Sequence, residues 1–145
     1  MRVDVALDAY VPADYVGLEA AKMEVHRRIA LATHPDQLRD LELELADRFG
    51  PVPDPVRNLI GMQELRLAAA PLGQVAVHVG RDGARISGAR LTAEEAAALR
   101  DRLAGVAVSP SRDEARLPAT ESASPIDQGR QLADAMIGLR SGALR

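Results

Sequence analysis

The sequence has no cysteine and no tryptophan, and Tyr10, Tyr15 and Phe49 are its only aromatic residues. Without cysteine there is no disulfide framework, no thiolate nucleophile and no cysteine-based zinc site, which fits a reducing compartment. Three aromatics cannot supply the stacking platforms on which single-stranded nucleic-acid binders lay bases, and a net charge of -3 opposes a phosphate-tracking groove. No apolar run approaches the roughly 20 residues of a membrane span. The opening residues, Met1-Arg2-Val3-Asp4, lack the apolar core of a signal peptide. A soluble, cytoplasmic protein without a membrane partner is therefore expected. Lysine is as scarce as the aromatics, with Lys22 alone, and arginine takes its place. With the abundant alanine, that bias points to a GC-rich genome rather than to an activity.

Chemistry-bearing motifs are missing too. Gly80-Arg81-Asp82-Gly83 lacks the G-x-x-x-x-G-K-[ST] pattern of a phosphate-binding loop and no helix starts directly behind it, so it reads as a hairpin turn. His26, His34 and His78 are too scattered for a metal site. No catalytic residue, cofactor or metal ligand is expected, and the chain reads as a binding module rather than an enzyme.

What is present is aliphatic and strongly periodic. At 145 residues and 47% hydrophobic content the chain has enough apolar volume for one domain with a real core. Val3, Val5 and Leu7 alternate with polar or small residues, the pattern of a strand with one buried face. After a turn at Pro12, the residues Leu18, Ala21, Val25, Ile29 and Ala32 fall on one face of a first helix. A second helix is expected to begin at Thr33 with Asp36 completing a capping box, and to bury Leu38, Leu41, Leu45 and Phe49. Gly50 in a left-handed conformation and Pro51 end it. Asp54 as N-cap, with Pro55 at the first helical position, opens a third helix that carries Val56, Leu59, Ile60 and Leu67. From Gly73 the period changes to two. Val75, Val77 and Val79 lead into the hairpin turn, and residues 84–87 return. Thr92 to Glu95 forms another capping box, starting a short helix expected to end at Gly105. Strands are expected at 106–108 and 113–117, and Ser124-Pro125 starts a last helix bearing Ile126, Leu132, Met136 and Leu139. The fold class is α+β: an N-terminal strand and three helices, then a small, mainly antiparallel sheet with two further helices. Residues 1–140 are expected to form a single domain, with 141–145 a frayed tail.

The second helix carries the most informative surface. At 100° per residue Asp36, Asp40, Glu44 and Asp47 gather opposite the leucine stripe, with Leu43 among them. Arg48 can neutralise Glu44 at i+4, as on any solvated helix. Asp47, however, sits in the last turn, where the helix dipole disfavours an acid by a few tenths of a kcal/mol. Leu43, moreover, places an aliphatic side chain on a charged surface. Both costs make sense if a partner brings a basic surface with an apolar centre. The expected partner-binding residues are Glu44, Asp47, Asp40 and Leu43. A second reading is a stand-alone adaptor or J-domain-type co-chaperone, because His34-Pro35-Asp36 follows a helix carrying Arg27-Arg28.

Residues 9–16 (Ala9-Tyr10-Val11-Pro12-Ala13-Asp14-Tyr15-Val16), the helix with Arg27-Arg28-Ile29-Ala30, and residues 44–53, from Glu44-Leu45-Ala46-Asp47-Arg48-Phe49-Gly50 to Pro53, resemble the C-terminal domain of the bacterial transcription-repair coupling factor, Mfd. The likeness extends through Leu59, Leu65-Arg66 and Leu72-Gly73, about the first half of the chain. The resemblance implies a parent protein that is an ATP-dependent DNA translocase acting on stalled RNA polymerase and recruiting excision repair through UvrA. It implies that this domain is no part of the motor: RNA polymerase and DNA engage other domains. It also implies an autoinhibitory contact, in which Glu44 and Asp47 dock on the UvrB-like N-terminal module of the same protein in competition with UvrA.

Overall fold

In the computed structural model, which describes residues 1–143, the chain divides into two compact units, Met1–Ala6 with Ala68–Arg145, and Leu7–Leu67.

The first unit is a five-stranded sheet with two helices. The valine alternation at the N-terminus makes β1 (Arg2–Val5), which ends before Leu7. β2 (Ala76–Gly80) and β3 (Gly83–Ser87) form the expected hairpin around Arg81-Asp82, and β4 (Ala107–Ser109) and β5 (Glu114–Pro118) complete the sheet. The order is β1-β2-β3-β5-β4. Only β1 and β2 run parallel, and the other three pairings are antiparallel. A parallel pair needs a long crossover, and residues 7–67 supply it. The register pairs Val77 with Ile86, Val79 with Ala84, Ile86 with Ala115 and Ala84 with Leu117. All six side chains are buried, so β2, β3 and β5 turn their apolar sets to the same face.

Helix α5 (Pro125–Ala143) contacts β2, β3 and β5 and buries Ile126, Leu132, Met136 and Leu139, the residues its periodicity singles out. Ser124 Oγ caps it, accepting from the Asp127 amide at 3.1 Å. The tail expected to fray at 141–145 overlaps α5 as far as Ala143, and residues 144 and 145 lie outside the described residues. Helix α4 (Ala93–Arg102) starts with the expected Thr92/Glu95 capping box, the two bonds being 3.1 and 2.9 Å. It stops earlier than expected, because Leu103 is already extended (φ -126°, ψ 106°).

The second unit holds α1 (Glu19–Leu31), α2 (Pro35–Phe49) and most of α3 (Asp54–Ala69). Val25 and Ile29 of α1, Leu38, Leu41 and Leu45 of α2, and Val56 and Ile60 of α3 share one aliphatic core. Three details correct the expectations. Leu18 is not on the buried stripe: it precedes α1 in extended conformation and is 75% exposed. Thr33 is not the N-cap of α2. Pro35 at the first helical position biases its predecessor to extended backbone, and His34 (φ -134°, ψ 144°) therefore caps the helix. Gln37, not Asp36, completes the box: its Oε1 accepts from the Thr33 and His34 amides at 2.7 and 3.1 Å. At α3 the Pro53 carbonyl already accepts from the Arg57 amide at 3.1 Å, so Pro53 stands at the cap and the helix starts at Asp54.

The corner between α2 and α3 is built on Gly50. Its φ of +91° is positive as expected, but its ψ of -170° lies away from the left-handed helical basin, in a region essentially restricted to glycine. Tyr15, thirty residues upstream, closes the same corner: its hydroxyl lies 3.1 Å from the Leu45 carbonyl and 3.0 Å from the Gly50 carbonyl. The Leu45 carbonyl already accepts within α2, so the hydroxyl is an additional donor to it, whereas the Gly50 carbonyl lies just beyond the end of the helix. The Tyr15 and Phe49 rings pack at 5.8 Å between centroids. Burial pushes the Tyr15 phenol above its ordinary pKa, and the charge of Glu42 adds to the rise.

Two predictions follow from this corner. A Cβ on Gly50 meets no atom within 4 Å, so Gly50→Ala tests backbone strain alone. It should lower the stability of this unit by about 1–3 kcal/mol in urea unfolding, and an unchanged midpoint would refute the strain. Tyr15→Phe should cost about 0.5–1.5 kcal/mol by removing the hydroxyl's hydrogen bond at the corner. Because the folded state raises the Tyr15 pKa, its contribution is complete below the unfolded value of about 10 and is lost as pH climbs through the folded value. The alkaline limb of the stability curve should therefore flatten in Tyr15→Phe, and parallel limbs in the two proteins would contradict this.

Candidate functional site

Helix α2 is amphipathic for a local reason: its leucines recur at positions 38, 41 and 45, all at most 1% exposed, and the acids between them are left outside. Asp36, Asp40, Leu43, Glu44 and Asp47 are all exposed. Leu43 is 64% exposed inside a charged field. Asp40, Leu43 and Asp47 stand at i, i+3 and i+7, one stripe along the helix with the two carboxylates about 10 Å apart along its axis.

The four acids are not equivalent. Glu44 is neutralised twice: Arg28, on α1, hydrogen-bonds its Oε2, and Arg48, one turn further along α2, lies 4.0 Å from the same oxygen. Asp36 sits 3.8 Å from Arg39. Asp40 and Asp47 have no ion pair among the described residues. The free negative charge of the face is therefore at Asp40 and Asp47, on either side of Leu43, while Glu44 is outnumbered by two cations. All these pairs are solvent-exposed, and each contributes about 0–1 kcal/mol at most.

The pairing of Glu44 with Arg28 is the feature the sequence did not reveal. Arg48 was visible as an i+4 neighbour, whereas Arg28 is sixteen residues away and meets Glu44 only because α1 and α2 pack side by side. Asp47 lies in the last turn of α2, where the dipole argument places it. His34, Pro35 and Asp36 form the cap and first turn of α2 and belong to the helix start.

Between α1 and α2, next to this face, lies an open groove of about 300 Å³ lined by Arg27, Arg28, Leu31, Ala32, Gln37 and Asp40. Leu31 at its margin is 63% exposed. Arg27 is turned onto Glu24 through two bonds of 3.0 and 2.8 Å, which holds the Glu24 carboxyl below the usual carboxylate range. Among the described residues there is no group of three or more histidines and acids placed to hold a metal ion, and no helix is long and apolar enough to cross a membrane.

A transcription-repair-coupling factor of Haemophilus influenzae is 37% identical over 81 residues, covering 56% of this chain and 7% of the relative. Those of Mycobacterium bovis and Staphylococcus haemolyticus are each 36% identical, over 46% and 50% of this chain. The chain thus spans only 5–7% of the length of these relatives. A crystal structure of the C-terminal domain of transcription-repair coupling factor superposes with a TM-score of 0.72, covering 97% of this chain and 95% of that one at 18% identity, which establishes the shared fold. The family model described as the TRCF domain matches residues 5–99, well over half of the chain and the whole of α1, α2 and α3. The chain belongs to the TRCF domain family of transcription-repair coupling factors.

Proposed function

We propose that this chain is a non-catalytic regulatory domain of a transcription-coupled DNA repair translocase. It docks through the exposed face of α2 on the UvrB-like N-terminal module of its own parent protein and so masks the surface that UvrA uses. Translocation and the engagement of RNA polymerase and DNA then reside in other parts of that cytoplasmic protein. The observation that carries the docking reading is Leu43, open to solvent between Asp40 and Asp47, which have no ion pair among the described residues. A basic surface with an apolar centre would desolvate the leucine and find two free carboxylates at its rim.

The energetics require several weak contacts acting together. An exposed ion pair adds about 0–1 kcal/mol, and burying one leucine adds about 1.5–3 kcal/mol. Neither suffices for tight association of separate molecules once the cost of immobilisation is met. Within one polypeptide, tethering raises the effective concentration of the partner to the millimolar range, and weak contacts then hold a closed form. Autoinhibition is then a difference in free energy between closed and open states, which UvrA shifts by binding only the open one.

The test is binding of this chain to the UvrB-like module of its parent, at low and moderate salt. Wild type should bind weakly and with strong salt dependence. Glu44→Lys/Asp47→Lys, shown to be folded by circular dichroism, should lose that binding. Failure of wild type to bind, or equal binding by the double variant, would remove the docking role of α2.

A further inference from the structure

We infer that the outer face of α1 is a self-association surface, on which two copies of the chain pack α1 against α1, antiparallel, about a two-fold axis between residues 25 and 26. The surface is separate from the face of α2 and does not depend on its docking.

Helix α1 is apolar on two sides. Val25 and Ile29 are buried in the core, whereas Ala20, Met23, Ala30 and Leu31, on the opposite side, are all exposed. Leu18, Met23 and Leu31 make up three of the six large hydrophobic residues exposed among the described residues, so this one helix and its entrance hold the densest open apolar surface. An open depression of about 780 Å³ lies along its first half, against Ala20, Met23 and Arg27. Helix α2 does not cover the face, because the Arg28–Glu44 pair places α2 about a quarter turn round α1 from it. Arg27, in the middle of the face, is held on Glu24 by two bonds of 3.0 and 2.8 Å, so what stands there is a neutral pair rather than a free charge.

The pattern specifies its own partner. Ala20, Glu24, Arg27 and Leu31 recur at intervals of four, three and four residues, the spacing of a coiled-coil seam. A parallel pair would set Glu24 against Glu24 and Arg27 against Arg27, with like charges in both central layers. The antiparallel pair sets Leu31 of one copy against Ala20 of the other, large against small, and Glu24 against Arg27 of the other copy. Under a two-fold each contact occurs twice. The central layers then hold four charges of alternating sign, flanked by two leucine–alanine contacts. A carboxylate accepts from several donors, so each Glu24 can keep its own Arg27 and take that of the second copy. Met23 and Ala30 run along one side of the seam and close it. A helix of 13 residues is about 20 Å long, too short for the roughly 800 Å² per partner of a standard stable interface. The association is therefore weak, with a dissociation constant of about 0.1–1 mM.

The test is sedimentation equilibrium of the 145-residue chain up to about 1 mM, where wild type should show a monomer–dimer equilibrium. The variants all change exposed residues, and circular dichroism should show each of them folded. Leu31→Ser should weaken the dimer about three- to tenfold, while Leu43→Ser, at the exposed leucine of α2, should leave it unchanged. Glu24→Arg and Arg27→Glu should each weaken self-association about tenfold or more, because each fills the central layers with like charges. Mixed in equal amounts, these two variants should associate with one another about as tightly as wild type does with itself, since every central layer then pairs opposite charges. A wild type that stays monomeric at about 1 mM overturns the inference. So does a dimer that survives Leu31→Ser and is lost in Leu43→Ser, or a mixture of the two charge variants that remains monomeric where wild type dimerises.

Discussion

Much of the helical unit depends on one hydroxyl. Tyr15 stands on the segment leading into α1, yet its O–H reaches two carbonyls at the far end of α2, those of Leu45 and Gly50. The Gly50 carbonyl lies beyond the end of α2, and neighbouring Pro51 and Pro53 have no amide hydrogen to offer it. The long-range donor therefore ties the entrance of the helical unit to its central corner. Gly50 makes the tie geometrically possible by adopting backbone angles that other residues resist, and the Tyr15 and Phe49 rings enclose it. Arg48 lies over the Phe49 ring, 5.0 Å from its centroid, so the last turn of α2 is pinned on its outer side as well.

That pinning has an electrostatic consequence. The last turn of a helix is the wrong end for an acid, and Asp47 stays there without an ion pair among the described residues. Arg48 is the nearby cation that would be expected to compensate, but its guanidinium is shared between the Phe49 ring and Glu44. Glu44 in turn has Arg28 from the neighbouring helix. The arginines are thus distributed so that the middle of the face is neutralised and its two flanks, Asp40 and Asp47, are not. Charge at such separated points orients an approaching partner more than it binds it, because exposed charges act on encounter and register while apolar burial supplies most of the affinity. Leu43 lies between them, where such burial would occur.

The elements of the fold were legible because their signals are local. The valine alternation of β2, the Thr92/Glu95 box, Gly50 before Pro51, and the spacing of Ile126, Leu132, Met136 and Leu139 each depend on neighbours within one or two turns. The membership of the acidic face was legible for the same reason, since a helical wheel needs only the period. What escaped was relational. The parallel pairing of β1 with β2 joins residues more than seventy positions apart and leaves no mark in either strand. Leu18 fits the period of α1 but not its extent, because periodicity cannot say where a helix starts. Thr33 looked like the better cap by residue type, and Pro35 overrode it through backbone geometry. The Arg28–Glu44 pair, and the groove beside it, exist only once α1 and α2 are packed together, so no reading of either helix alone contains them.

The weakness of each surface contact suits the proposed role rather than opposing it. An autoinhibitory domain that bound its target very tightly would have to be displaced at prohibitive cost, because a competitor can shift an equilibrium only by its own differential affinity. A tethered partner experiences an effective concentration on the order of millimolar. A contact with a dissociation constant of about 0.1 mM, roughly -5.5 kcal/mol, would then keep the closed form in about tenfold excess. Opening it would ask only about 1.4 kcal/mol of the competitor, the equivalent of one tenfold step in affinity. One partly buried leucine and two or three exposed ion pairs supply at most about 6 kcal/mol before the ordering of the side chains is subtracted, so such a contact holds only with the help of the tether. A larger apolar patch on α2 would lock the closed state, and a wholly charged face would release it at modest salt. A single leucine between two free carboxylates falls between these limits, which is where a releasable clamp has to be.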